Sequence, residues 1–305
     1  MSSRRSAGRV VGLGLCVVDH LYVVERLDPR AERMYYVERR VTGGGMMGNA
    51  LTQVARLGCQ AHALSALGDD ADGRFVRRCL RAAGVVTRRI AVDAGCPTGI
   101  AVVQVDRRTG ERRFLVADRR ARERGVPDFD LAPIRRGAVL LVDGHFPTQA
   151  LRAVRRARQV GAVVVADFHR PLPQMRRLLP FVDYPIVPLE FAREYAAGAP
   201  REALRALREE FDGTPVVTLG ARGGLYLEGG RVRRFRAPRV RVRDTTGAGD
   251  AFHGAFAAAV ARGLELRAAI AWGARAGALC CTALGATGRV MTLAEARARR
   301  FPRAR

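Results

Sequence analysis

Apolar and polar positions follow two rhythms along the chain. Residues 9–18, "RVVGLGLCVV", run apolar without alternation, the pattern of a strand covered on both faces of a sheet. "GNALTQVARLG" then carries apolar residues at helical spacing and stops at Gly58, a C-terminal cap signal. Strand and helix alternate from there through "AHALSALG", "GRFVRRCLRAAG", "AVLLVDG", "TQALRAVRRARQVG", "AVVVADF", "PIVP", "LEFAREYAAG", "REALRALREEF" and "TPVVTLG". That order predicts a parallel sheet with helices on its two faces. The remainder of the chain reads as helical and rich in small residues.

Two stretches keep a period of two instead. "DHLYVVERLDPRAERMYYVERRV" and "TGIAVVQVDRRTGERRFLV", the second with a turn at Thr109-Gly110, predict antiparallel strands with one exposed face. Paired, they would make a small sheet of about residues 20–42 and 97–118, inserted as a lid in a single domain spanning 1–305. Such a lid is also a candidate surface for a homodimer.

Composition narrows the chemistry. The formal charge of +24 points toward nucleic acid, yet all 53 basic residues are arginine and they are spread along the whole chain, with no basic-aromatic module. Nucleic-acid binding is therefore not the expected function. The absence of lysine excludes a Walker A loop, a protein-kinase strand lysine and Schiff-base enzymes. Six cysteines without a CxxC pair suit reduced thiols and a cytoplasmic location. Arg4, Arg5 and Arg9 before an apolar run mimic a signal peptide, but Asp19 and His20 stand where a small-residue cleavage site belongs, and no run is long enough to span a membrane.

Three glycine-rich turns carry candidate chemistry. In "DTTGAGDAFHGAFAAAVARG" a helix is predicted to begin between Gly247 and Asp250. Its first N–H groups lack partners and carry the positive end of the dipole, and Gly247, Ala248 and Gly249 let an oxyanion come close, forming an anion hole. Asp250, in the first turn, is expected to be ionised at neutral pH and placed to take a proton from an attacking hydroxyl. A plain helix cap explains the aspartate but not the GAG before it. In "TGGGMMGNA" three glycines allow close backbone approach, and Asn49 at the head of a helix both donates and accepts toward a polyol; a hinge accounts for the same glycines. In "VVTLGARGGLYL" the turn after Thr218 stands at a strand's C-terminal end, where ligands bind in open α/β sheets, and a tight hairpin explains it equally well.

Other signals are weaker. "GLGLCV" lacks the third glycine of a dinucleotide fingerprint, and the five histidines show no zinc spacing. "GDDADGRF" lacks the glutamate of a calcium loop, and "DRRARERG" reads as a solvated charge run.

Taken in order, "GGGMMGNALTQVARLG", "ALGDDADGRF", "TGIAVVQVDRRTGERRF", "VVTLGARGG" and "DTTGAGDAF" resemble the ribokinase-like carbohydrate kinases, the PfkB family, over nearly the whole chain. The resemblance implies a three-layer α/β/α body with a mainly parallel sheet and a small β lid. It also implies phosphorylation of a sugar hydroxyl by ATP with Mg²⁺. By position it makes Asp250 the general base and Gly247, Ala248 and Gly249 the anion hole. Asp19, Gly44, Gly45 and Asn49 would hold the sugar, and Thr218, Gly220, Gly223 and Ala274 the nucleotide. Asp244, Thr246, Cys280, Ala283 and Gly285 fall where many members bind a monovalent cation, with K⁺ the candidate, although Arg289 replaces a smaller polar ligand.

Two departures from the family concern phosphate and Mg²⁺. Its N-x-x-E reads Val187-Pro-Leu-Glu190, keeping only Glu190 as an indirect Mg²⁺ residue, and D-x-N-x-R reads "DFHRP", with Asp167 kept, Arg170 one residue short of the arginine position and His169 out of pattern. Arginines at 107, 108, 112, 113, 119 and 120 hint at an anionic sugar. A nucleoside is the alternative acceptor, with Tyr22, Tyr35 or Tyr36 to stack on it. The altered N-x-x-E also motivates a binding-only sensor.

Overall fold

The computed structural model describes residues 8–28, 30–116, 126–196, 198–298 and 301. The charge run from Asp118 to Gly125, with Arg119, Arg120 and the predicted end of the lid, lies outside the described residues. The chain opens with β1 (Arg9–Leu13), β2 (Val17–Val24), β3 (Tyr36–Gly44), α1 (Met46–Arg56), β4 (Gln60–Leu64), β5 (Ala66–Gly68) and α2 (Ala71–Ala82). It continues through β6 (Ala91–Asp93), β7 (Ile100–Asp106), β8 (Arg112–Val116), β9 (Ala138–Val142), α3 (Pro147–Val160), β10 (Val163–Asp167), α4 (Pro173–Leu178) and β11 (Tyr184–Pro188). Then come α5 (Leu189–Ala196), α6 (Pro200–Glu210), β12 (Val216–Thr218), β13 (Gly224–Glu228), β14 (Arg231–Phe235), α7 (Ala248–Ala261), α8 (Leu266–Cys280) and α9 (Leu293–Arg297).

The unbroken apolar runs build one eight-stranded sheet in the order β14-β13-β12-β11-β10-β9-β1-β4. Pairing is parallel from β4 to β12. Every residue of β9 is buried because helices cover both faces. On one side Met47 and Leu51 of α1, Phe252 and Phe256 of α7, and Ile270 of α8 pack on the sheet. On the other, Val154 of α3, Leu178 of α4, Phe191 of α5 and Leu204 of α6 do so. Each large apolar side chain fully buried this way contributes about 1.5–3 kcal/mol, so the two layers hold the strand ends in fixed positions. The alanine-rich stretch makes α7, a strong helix former whose small side chains admit close neighbours. A Cβ on Gly254 would lie 2.3 Å from the Ala50 carbonyl oxygen, and one on Gly277 2.9 Å from that of Ala248. No described helix is long and apolar enough to cross a membrane.

Three expected elements are divided or replaced. The apolar run 9–18 is not one strand: β1 ends at Leu13, and β2 starts at Val17 in a different sheet. The break is imposed from outside the run, since Asp143 Oδ2 accepts the Leu15 N–H at 2.7 Å while the Leu15 carbonyl accepts the Met47 N–H at 3.1 Å. "AHALSALG" is likewise split into β4 and β5, the latter paired with β6. Residues 228–235, in the stretch read as helical, instead complete with 224–227 the antiparallel hairpin β13–β14 at the sheet edge. Its outer strand "RVRRF" points arginines into solvent, a charge pattern that suits an edge strand.

The small sheet has the order β3-β2-β7-β8. Two antiparallel hairpins meet through the parallel pair β2–β7, with Asp19 opposite Ala101. Leu21, Val23, Val103 and Val105 face the body and cluster with Leu284, so Asp19, on the same side of β2, faces it too. Register puts Arg112 and Phe114 on this inner side, whereas Tyr22 is on the outer one. There it packs edge-on against Tyr36, with Arg39 above it. Tyr22 and Tyr36 are thus turned away from the body and are not placed to stack on a ligand between lid and sheet.

Candidate active site

The start of α7 is built by glycine. Gly247 caps it at φ 76°, and a Cβ there would lie 2.2 Å from the Ala286 Cβ. Both observations exclude any larger residue. Ala248 donates its N–H to Thr245 at 3.3 Å, but among the described residues the N–H groups of Gly249 and Asp250 meet no backbone acceptor. A Cβ on Gly249 would meet nothing within 4 Å. Free donors, a helix dipole and open space therefore coincide at one turn, the requirements for receiving an oxyanion.

Asp250 sits in that turn, and Asn49 of α1 donates its Nδ2–H to the Oδ2 of Asp250 at 2.8 Å. Asn49 is the only asparagine of the chain. Its Oδ1 is buried with no hydrogen-bond donor, an acceptor left for a hydroxyl. Burial, and after it the charge of Asp167, push the Asp250 carboxyl up to about 7, against the opposing effects of Asn49, His253 and Arg112. The expectation that the dipole keeps Asp250 ionised at neutral pH is thus corrected. A helix dipole is worth about 0.3–1 kcal/mol, less than one pKa unit, and is outweighed here. Burial thus pushes the group toward neutrality, a range suited to exchanging a proton.

Behind Asp250 stands a set of side chains the sequence reading passed over. His253, one turn further along α7, places Nδ1 at 2.7 Å from the Gly249 carbonyl and 3.2 Å from Asp167 Oδ2. Its Nε2 is 3.3 Å from the Ile186 carbonyl. Past the end of β9, the fully buried Asp143 accepts the N–H groups of Leu15 and His145 and faces the His145 Nδ1 at 3.1 Å. Burial works to raise the Asp143 carboxyl, but His145 and these N–H groups hold it below its ordinary value. Asp167 goes the other way, raised well above by burial and then by Asp143. Phe146, next to His145, is the one non-glycine among the described residues with positive φ, at 57°. Two signals were available: a polar Asp-Gly-His closing an apolar strand, and a histidine three residues after Asp250 on the same helical face.

The other expected residues group as follows. Gly44 lies against Asp19, where a Cβ would come within 1.8 Å of the carboxylate, and Gly45, at φ 84°, accepts the Asn49 N–H at 2.9 Å. Asp19, Gly44, Gly45 and Asn49 therefore form one continuous strip. Thr218 ends β12, and Gly220 and Gly223 lie in the turn to the antiparallel β13, so the turn is a hairpin turn that also stands at the C-terminal end of a parallel strand. Ala274 is buried on α8, one turn before Gly277 at the Ala248 carbonyl. Glu190 is exposed in the first turn of α5. Val187, near the end of β11, is fully buried in the hydrophobic cluster shared with α3 to α6.

The family model for pfkB family carbohydrate kinases matches residues 7–292. The chain belongs to that family. As a pfkB family member it is a phosphotransferase. The aminoimidazole riboside kinase of Salmonella typhimurium is 29% identical over 265 residues, covering 80% of this chain and 83% of that protein. The ribokinase of Lactococcus lactis is 24% identical over 298 residues, with 95% and 96% covered. The structure of Arabidopsis thaliana ribokinase complexed with ribose and ATP shares the fold, with a TM-score of 0.80 at 20% identity over 95% of this chain and 97% of that one.

The pfkB family resemblance raised a monovalent cation near Asp244, and the residues do not fit one. Asp244 Oδ1 accepts the N–H and hydroxyl of Thr246 at 2.8 and 2.7 Å, and Oδ2 the Gly285 N–H at 2.7 Å. The Cys280 thiol, kept protonated chiefly by burial, sits 3.3 Å from the carbonyls of both Thr246 and Ala286, at the point where they converge. Arg289 closes on Glu295. Among the described residues no cluster of three or more His, Cys, Asp or Glu side chains is placed to hold a metal ion.

Proposed function

We propose that the protein transfers the γ-phosphoryl group of ATP to a hydroxyl of a sugar or sugar derivative. One observation carries this reading: a carboxylate titrating near 7, held by Asn49, stands in the same turn as two backbone N–H groups without acceptors. A hydroxyl resting on Asn49 Oδ1 and Asp250 would lose its proton to Asp250 as it attacks. The N–H groups of Gly249 and Asp250 would meet the charge on the phosphoryl oxygens without reorganising. Asp19, behind Gly44, would orient the sugar, and the β12–β13 turn and Ala274 would face the nucleotide. Mg²⁺, which binds through one or two carboxylates and substrate phosphates, would arrive with ATP and neutralise charge on those phosphates, with Glu190, exposed in the first turn of α5, the carboxylate the family pattern assigns to it.

The acceptor is read as a sugar bearing an anionic group. Among the described arginines that suggested this, Arg112 supports it best: register puts it on the inner side of β8, and it bonds the Thr245 hydroxyl. Beside this contact is a cavity of about 610 Å³ lined by Leu27, Glu111, Arg112, Arg113, Phe114 and Thr245. Arg107 is instead paired with Glu25. The riboside alternative draws on the Salmonella relative's name and belongs in the same assay. The outer side of the small sheet, with Val41 and the 72% exposed Leu115, suits contact with a second copy.

ADP release measured over neutral sugars, sugar acids, sugar phosphates and ribosides tests the reading. A sugar or sugar derivative should turn over, and Asp250→Asn should lower its kcat by about 10³, within the range for a general base. Retained activity in that variant would overturn the role of Asp250. Ligand-induced rises in melting temperature without ADP release would favour a binding-only protein.

A further inference from the structure

We propose that His253 and Asp167 form a buried proton-sharing pair that positions the first turn of α7 and sets the pH at which Asp250 accepts the substrate's proton. The proposal rests on the reading of Asp250 as the base, and the pair acts through Asp250 and its turn. His253 is a positioning residue.

The proton count follows from geometry. A backbone carbonyl cannot donate, so Nδ1, 2.7 Å from the Gly249 oxygen, carries a hydrogen. Nε2 faces a second carbonyl, that of Ile186, at 3.3 Å and has only an acceptor to meet as well. Both ring nitrogens donate, which makes the ring an imidazolium, and Asp167 at 3.2 Å from Nδ1 is its counter-ion. Burial opposes this state on both sides, drawing the His253 proton affinity below its ordinary value and, together with Asp143, raising the Asp167 carboxyl well above its own, while the two carbonyls and the Asp250 charge favour the ring proton. A buried charge is tolerated only when it is paired and hydrogen-bonded, and here both conditions are met.

The ring also ties three elements together: α7 through Gly249, β10 through Asp167 and β11 through Ile186. It thereby fixes Asp250 relative to the strand ends. The charged groups around the pair are Asp250 on α7, and Asp143 and His145 beyond β9 acting on Asp167. Arg112 of β8 acts on Asp250, and His169, past β10, stacks on His145. Of the pair, Asp167 raises the proton affinity of Asp250 and His253 lowers it.

Opposite displacements follow. In kcat/KM against pH, the acid limb reports Asp250 in the free enzyme. His253→Gln removes the cation and should move that limb up by roughly half to one pH unit. Asp167→Asn removes the anion and should move it down by a similar amount, and the double variant should return it close to its original position. A purely structural role would lower kcat without moving the limb, and that result, or two shifts of the same sign, would overturn the proposal. If either variant does not fold, imidazole ¹⁵N resonances of the unaltered protein decide. Two protonated nitrogens on His253 at pH 7 support the pair, and a single neutral tautomer overturns it. Should Asp250→Asn remain active, the base reading fails on its own, and the ¹⁵N measurement still settles where the proton is held.

Discussion

Asp244 and Asp250 belong to one short turn, and their surroundings are opposites. Asp244 is fully buried and both of its oxygens are engaged, by Thr246 and Gly285. Asp250 receives one side-chain hydrogen bond, from Asn49, and stands among N–H groups and an amide oxygen that the protein leaves unmet. A closed set of hydrogen bonds fixes the turn, and an open set is free to meet a substrate. A buried polar atom without a partner costs about 1–3 kcal/mol, so the folded chain carries such a cost at the Asn49 oxygen beside Asp250 and avoids it at Asp244.

The largest expected effect separates the two in activity. Asp250→Asn should remove about 10³ from kcat in an ADP-release assay. Asp244→Ala should act first on folding, with a loss of about 2–4 kcal/mol in a denaturant titration, because it strands the donors of Thr246 and Gly285. Loss of activity in Asp244→Ala with unchanged stability would break the comparison.

Next in size is a pH effect on stability. A carboxyl raised from 3.8 to about 7 binds more protons folded than unfolded, so it favours the fold below about pH 4 and costs stability progressively up to pH 7. Asp250→Asn should therefore melt several degrees higher than the unaltered protein at pH 8, with the difference vanishing toward pH 4. For the same reason kcat/KM should rise about tenfold per pH unit well below 7 and level off above it. The smallest effect concerns the closed half of the turn. Replacing KCl by NaCl should leave kcat/KM within about twofold, because Cys280 holds the carbonyls of Thr246 and Ala286. A strong potassium requirement would show that the loop opens.

Much of this was legible because it is local. The GAGD turn, its helix and the alternating strands of the small sheet depend on neighbours in sequence, and the residues that set them lie within one or two turns. The parts missed depend on distant partners. An apolar run does not say where it changes sheets, and the break after Leu13 is made by Asp143 and α1. The basicity of Asp250 is set by burial and by Asp167 on another element. Arg112 could not be told from its neighbours until register turned it inward.

The break between β1 and β2 has a mechanical consequence. The Leu15 peptide is gripped at both ends, its N–H by Asp143 at 2.7 Å and its carbonyl by Met47 and Gly48 at 3.1 and 3.4 Å. It is a fulcrum: the large sheet ends on one side of it, and on the other β2 extends as a lever arm bearing Asp19. A force applied at Asp19 is thus delivered to the Asp143 carboxylate and to the first turn of α1, the helix that carries Asn49.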